Sequence, residues 1–202
     1  MNYFVSAIGT DSGKTLVAAI LCEALGADYW KPVQAGLPTD TDTLRSLVTN
    51  PKTSTHPERY KLQLPASPHA AAIHEGIDIH LEDFVLPPTK NHLVVEGAGG
   101  LMVPINDQHF MVDLALHLKM EIILVSNTYL GSINHTLLSH FLLQQKNIPV
   151  RGIVFNGPPN PESERIILHH TGYPLLLHVF PEPIVNSQSV KKYAAQLKIV
   201  LS

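Results

Sequence analysis

The chain has 202 residues, 45% hydrophobic and 15% charged, with a formal net charge of -3. That length suits one domain, able to bury about 70% of its unfolded surface in a single core. The mild acidity argues against a general nucleic-acid or membrane-surface binder, since both need excess cationic surface, and the lone Cys22 excludes an internal disulfide and suits a reducing compartment.

The first stretch, MNYFVSAIG, lacks the basic region and apolar stretch of a signal peptide, and Tyr3 to Ala7 reads as a strand. With no run of about 18 apolar residues to cross a bilayer, a cytoplasmic protein is expected. The strand runs into "AIGTDSGKT", whose Gly13-Lys14-Thr15 ends like a phosphate-binding loop, and a helix follows through Leu16 to Leu21. The general pattern G-x-x-x-x-G-K-[ST] would put glycine at position 8, where this chain has Ile8. Asp28 to Val33 predicts a second strand that stops at proline, and "TDTDTLRSL" predicts an amphipathic helix behind Asp40 and Asp42. The region from Thr49 to Pro88 is rich in proline and polar residues, with one helical piece at Ser67 to Glu75. His92 to Val95 reads as a strand opening onto a glycine turn, Glu96-Gly97-Ala98-Gly99-Gly100. Glu121 to Ser126 is a fully apolar strand, and Gly131 starts a helix that runs to about Lys146. Val150 to Asn156 and Pro174 to Val179 read as the last strands. Short β-rich runs alternating with helical patterns predict a parallel α/β sheet in one domain.

In such sheets ligands bind where strands end, and the polar residues of interest fall there. A strand-to-helix turn at Gly13-Lys14-Thr15 directs backbone N–H groups and the helix dipole at a phosphate. Lys14 would reach the β and γ phosphates, and the Thr15 hydroxyl would bind magnesium. Glu96 ends an apolar run, where a carboxylate is costly unless paired or metal-bound, although a cap or surface role would also account for it. Asp40 and Asp42 read, taken alone, as helix caps. Lys31 is either an exposed edge residue or a charge that steadies an anionic transition state. The twelve histidines do not form a metal pattern. His169 and His170 are adjacent, so on a helix they diverge by about 100°, and His135 and His140 are five apart.

Together these fragments resemble the dethiobiotin synthetase family. The family loop G-T-[DN]-T-x-[VA]-G-K-T aligns with residues 7–15, and K-P-V-x-[ST]-G with Lys31 to Gly36. S-P-H-x-A-A matches Ser67 to Ala72, V-E-G-A-G-G matches Val95 to Gly100, and G-x-I-N-H matches Gly131 to His135. The motifs stand in family order from residue 4 to about 182. On this template position 8 is a threonine rather than a glycine, which removes the mismatch at Ile8. The remaining departures are Ala7 for the loop glycine, Gly9 for its Asp/Asn, and Ala35 for the hydroxyl residue.

The resemblance implies a three-layer α/β/α P-loop NTPase fold with a mainly parallel central sheet. It implies a ligase that uses ATP and carbon dioxide to close 7,8-diaminopelargonate into the cyclic urea dethiobiotin. ATP enters as substrate and Mg2+ as cofactor. Carried over, Lys14 contacts phosphates while Thr15, Asp42 and Glu96 hold magnesium. Lys31 steadies the carbamate, and Thr10 and Asp11 face the substrate amines beside Ala35. Asp11, Ser12, Gly13, Leu16, Gly97, Ala98 and Gly99 line the nucleotide. Asn156 and Gly157 read adenine, with Pro181 and Glu182 nearby. Gly131, Ser132, Ile133 and Asn134 bind the substrate carboxylate from the neighbouring subunit, so a homodimer is implied, with no nucleic-acid or membrane partner.

Two other readings fit less well. Partitioning-type switch ATPases carry an extra lysine early in the loop, and "SAIGTDSGKT" has none. Amide synthetases of the same superfamily usually carry a glutaminase domain, for which 202 residues leave no room.

Overall fold

Strand β1 (Asn2–Ala7) is buried from Tyr3 to Ala7 because both its faces are covered. Tyr3, Val5 and Ala7 enter one core, and Phe4 enters the other. That is the environment of a central strand in a parallel sheet. The computed structural model describes residues 1–201. The chain continues through α1 (Lys14–Leu25), β2 (Asp28–Trp30), β3 (Val33–Ala35), α2 (Asp40–Leu47), β4 (Thr55–His56), β5 (Tyr60–Leu62) and α3 (Pro68–Glu75). After a 3-10 turn at Leu81–Asp83 come β6 (Leu93–Gly100), α4 (Met111–His117), β7 (Glu121–Asn127) and α5 (Ser132–Gln145). β8 (Val150–Asn156), α6 (Pro161–Thr171), β9 (Leu175–Val179) and α7 (Ser187–Leu201) complete it.

Seven strands form one sheet in the order β4-β2-β6-β1-β7-β8-β9, and every pairing between them is parallel. Helices α1, α2 and α7 cover one face, where Val17, Ile20, Leu21, Leu44, Tyr193 and Leu197 meet Val94 and Ile123. Residues of α3, α4 and α5 cover the other, where Ala71, Val112 and Leu143 meet Phe4, Val95 and Leu124. This is the expected three-layer α/β/α P-loop arrangement. Among the described residues no helix is long and apolar enough to cross a membrane.

Two sequence expectations need correction. The second strand is not continuous, because Pro32 has no N–H to give the ladder. It separates β2 from β3, and β3 leaves the main sheet to pair with β5 alone. The glycine run after Glu96 is not a turn but the end of β6, which runs to Gly100 and pairs with Ala7 across an irregularity in register. Gly97 is what lets β1 lie close there, since a Cβ would fall 2.9 Å from Phe4 Cε1.

At the opposite end of the sheet from the GKT loop, Asp28 starts β2 with its carboxylate buried. It accepts bonds from Ser54 N (3.0 Å), Asn91 Nδ2 (3.0 Å) and Thr89 Oγ1 (2.7 Å), and lies 3.1 Å from His56 Nε2. Burial would raise its pKa, but the bonds from Asn91, Thr89, Ser54 and His56 outweigh it and hold the carboxyl below its usual value. Stability from this site is therefore complete above the unfolded carboxyl's pKa, about 3.9, and is lost as pH falls through the lower folded value. Asp28→Asn is expected to cost about 1–3 kcal/mol at neutral pH and to flatten the decline on the acid side; urea titrations at neutral pH and below about pH 4 check both.

Candidate functional site

The GKT loop turns where β1 ends, where the chain's connections run to opposite sides of the sheet, the usual ligand position in such folds. Gly13 sits at the N-terminus of α1 with φ +92°, a conformation that glycine adopts without strain. Ser12 is buried and its hydroxyl donates to Gly9 O at 3.1 Å, which closes the loop on itself. Asn156, at the end of β8, donates from Nδ2 to Ser12 O at 2.9 Å. A Cβ on Gly13 would overlap that same amide nitrogen, so loop and β8 fit only while position 13 has no side chain.

Lys14 folds back over the loop and donates to Gly9 O at 3.0 Å. Burial, and then the nearby Lys31 ammonium, lower its pKa to about 8, against the opposing pull of Glu96, Asp40 and Asp11. A phosphate placed in the loop would favour the charged form.

Glu96 is the centre of the site. It is 1% exposed, near the end of β6, and three donors converge on it. Thr15 Oγ1 donates to Oε1 at 2.9 Å, Lys31 Nζ to Oε1 at 3.1 Å, and Tyr29 OH to Oε2 at 2.8 Å. Lys31 also donates to Gly97 O at 3.0 Å and lies 2.5 Å from Asp40 Oδ2. Burial works against the Lys31 charge, but Glu96 and Asp40 prevail and raise its pKa, so it is a buried ammonium. Burial likewise opposes ionisation of Asp40, yet Lys31 holds its carboxyl below the usual value. The strand alternation explains the convergence. β2 pairs with β6 so that Tyr29 opposes Val94, and Tyr29, Lys31 and Glu96 therefore project to the α1 face.

These groups open into a cavity of roughly 750 Å³. Of the residues singled out from sequence, Thr10, Asp11, Gly13, Lys14, Thr15, Lys31, Ala35, Glu96, Ala98 and Gly99 line it. Leu16 packs on the apolar core and Gly97 offers its carbonyl to Lys31. Asp42, also singled out from sequence, does not belong to this cluster. Its exposed carboxylate accepts from Thr39 Oγ1 (2.7 Å) and Arg45 Nη1 (3.1 Å), and the carboxylate beside Lys31 is that of Asp40. Both lie in the first turn of α2, whose rotation is set by the Thr39 cap and the burial of Thr41, Leu44 and Leu47. Gln34 fixes Asp40 further: its Oε1 accepts from Asp40 N at 3.0 Å and its Nε2 donates to Gly36 O at 3.1 Å.

Asn156, Gly157, Pro181 and Glu182 lie on adjacent strand ends at the edge of the loop, joined by Gly157 N donating to Val179 O at 2.9 Å. The Glu182 carboxylate is held by Tyr193 OH (2.6 Å) and Lys192 Nζ (2.7 Å). Gly131, Ser132 and Ile133 line a different cavity of about 320 Å³ with Tyr129 and Asn160, and Asn134 is exposed next to them. One chain does not bring that segment to the Lys31 cavity. Tyr29, Gln34 and the choice of Asp40 were missed from sequence; the available signal for Tyr29 was its spacing of two before Lys31 in a strand.

Replacing Gly13 with Ala sets a Cβ against Asn156 and strains a left-handed residue. An affinity loss of about tenfold for ADP, equivalent to one such strained residue, is expected by calorimetry.

An AAA domain family, AAA_26, matches residues 1–189. The chain is 57% identical over 198 residues to the ATP-dependent dethiobiotin synthetase BioD of Cytophaga hutchinsonii, covering 97% of this chain and 96% of that one. It is 42% identical to the protein of the same name from Christiangramia forsetii, covering 98% and 96%. Among solved structures, the septum site-determining protein MinD of Pyrococcus horikoshii, complexed with Mg-ADP, superposes with a TM-score of 0.60 at 15% identity, covering 100% of this chain and 96% of that one. The P-loop fold is thus shared widely, while the sequence relatives are specific: the chain belongs to the dethiobiotin synthetase family.

Proposed function

We propose that this chain closes a diamine, 7,8-diaminopelargonate, into dethiobiotin with carbon dioxide and ATP. The observation that carries this reading is the cluster of buried Lys31 and Glu96 with half-buried Asp40 and Thr15, facing one cavity beside the phosphate loop. One amine captures carbon dioxide as a carbamate. The γ-phosphoryl group passes to a carbamate oxygen, leaving ADP. The second amine then attacks the carbonyl carbon, closes the urea ring and releases phosphate. The physical demand is to bring two anions together, and a buried ammonium next to the loop lysine answers it. Lys31 steadies the carbamate and Lys14 the phosphates, while Thr10 and Asp11 face the amines and Ala35 leaves that wall without a hydroxyl. Asn156 and Gly157, with Pro181 and Glu182, border the base.

A magnesium ion shared with nucleotide phosphates needs few protein oxygens. Thr15 Oγ1 and Glu96 Oε1 are 2.9 Å apart, and Asp40 faces the same cavity, so the donors are hard oxygens in the right number. Thr15, Glu96 and Asp40 would hold the ion, which supplies charge neutralisation between the phosphates. Gly131 to Asn134 serve the substrate carboxylate of a neighbouring copy, in a homodimer. Exposed Leu130, Leu138 and Phe141 around that segment favour such a contact. A cytoplasmic location fits the buried free thiol of Cys22.

Incubation with ATP, magnesium, bicarbonate and the diamine is expected to give dethiobiotin by mass spectrometry, and failure to detect it at any substrate concentration would overturn the reading. In the same assay Lys31→Ala should slow turnover about a hundredfold or more, as for loss of a single charge stabiliser, with ADP affinity little changed. Asp40→Asn should weaken the magnesium-dependent part of nucleotide binding about tenfold or more, whereas Asp42→Asn should leave it intact; titration of a fluorescent ADP analogue separates them.

A further inference from the structure

Tyr29 is fully buried against the α1 face of the sheet, yet a phenylalanine would bury the same ring. What the hydroxyl adds is one bond, to Glu96 Oε2 at 2.8 Å. The two oxygens of Glu96 are thereby divided. Oε1 meets Thr15 and Lys31 on the cavity side, and Oε2 is occupied from behind by a residue that does not line the cavity. Without Tyr29, a carboxylate oxygen in a 1%-exposed side chain would have no donor, and the group would turn to share the donors of Oε1.

We propose that Tyr29 is a positioning residue: its hydroxyl locks the Glu96 carboxylate so that a single oxygen faces the metal and nucleotide. Three features support this. The phenol stands on β2, whose register against β6 places it beside Glu96 from the neighbouring strand. Its ring is held by the α1 core and has no freedom to follow a rotating carboxylate. Tyr29 holds Glu96 Oε2 while Lys31, itself paired with Asp40, holds Oε1, so the phenol and the ammonium fix the two oxygens of one group. Groups behind a metal ligand that orient it commonly change metal affinity about 10- to 100-fold when removed. The inference rests on the reading of Glu96 as a magnesium ligand.

The test is Tyr29→Phe, which keeps the ring, with a fluorescent ADP analogue titrated in magnesium chloride and in EDTA. The magnesium-dependent gain in affinity is expected to fall about 10- to 100-fold, with affinity in EDTA unchanged and kcat reduced more than the KM for the diamine. A lowered melting temperature with the magnesium gain intact would show a merely structural bond and overturn the proposal. Should Tyr29→Phe fail to fold, it is placed in a Glu96→Gln background, which removes the carboxylate that Tyr29 would orient, and compared with Glu96→Gln alone. Equal magnesium dependence supports action through Glu96; a further loss overturns it. Wild-type protein whose ADP affinity ignores magnesium would instead overturn the metal reading, and this inference with it.

Discussion

A carboxylate withdrawn from water must find its partners inside the protein, and Glu96 finds three of them on two other pieces of chain. Thr15 comes from α1, Lys31 from the end of β2, and Tyr29 from within β2. Through Lys31 the network reaches Asp40 at the start of α2. An ion pair this deep contributes little net stability over an apolar pair of the same shape, but removing one member strands a charge at a cost of about 3–5 kcal/mol. The arrangement therefore ties the phosphate loop, the second strand and the second helix to one another more through the penalty for separation than through gain. The rest of the fold complies: Val94 and Val95 pack on opposite faces of β6 so that Glu96 arrives on the α1 side.

Much of this was legible because the decisive residues lie at strand ends, where local pattern and function coincide. Lys31 and Glu96 each follow an apolar run, Lys14 and Thr15 head the helix that the loop after β1 leads into, and a sheet of parallel strands brings those ends together whatever the details of the helices. Asp40 against Asp42 was not legible. Both stand at the head of the same short helix, and which one meets Lys31 depends on how Thr41, Leu44 and Leu47 seat that helix on the core. The extent of β6 was misread for a related reason. Glycines signal a turn locally, but here they admit Phe4 and a tight approach of β1, a tertiary requirement that overrides the local cue.

The two cavities show how far a single chain goes toward its site. The larger one gathers the cations, the carboxylates and the loop, while the segment from Gly131 to Ile133 borders a separate hollow. The helix N-terminus at Ser132 offers N–H groups without a counter-charge nearby in its own first turn, where no acidic residue stands. An anionic group is the natural complement to such an end, whichever molecule presents it.

Pro32 ends one strand, and the residues after it leave the main sheet for a two-stranded ribbon with β5. The wall of the larger cavity formed by Ala35 and Gly36 is thus carried on a small flap rather than on the seven-stranded frame. Gln34 of that flap is tied to Asp40, but Ala35 can be exchanged without shifting Lys14, Thr15 or Glu96, because no ladder of the main sheet runs through it. The cavity wall at Ala35 and the phosphate loop are in this way carried on separate frames. Re-cutting that one wall position reshapes the cavity and leaves the phosphate loop and Glu96 where they stand.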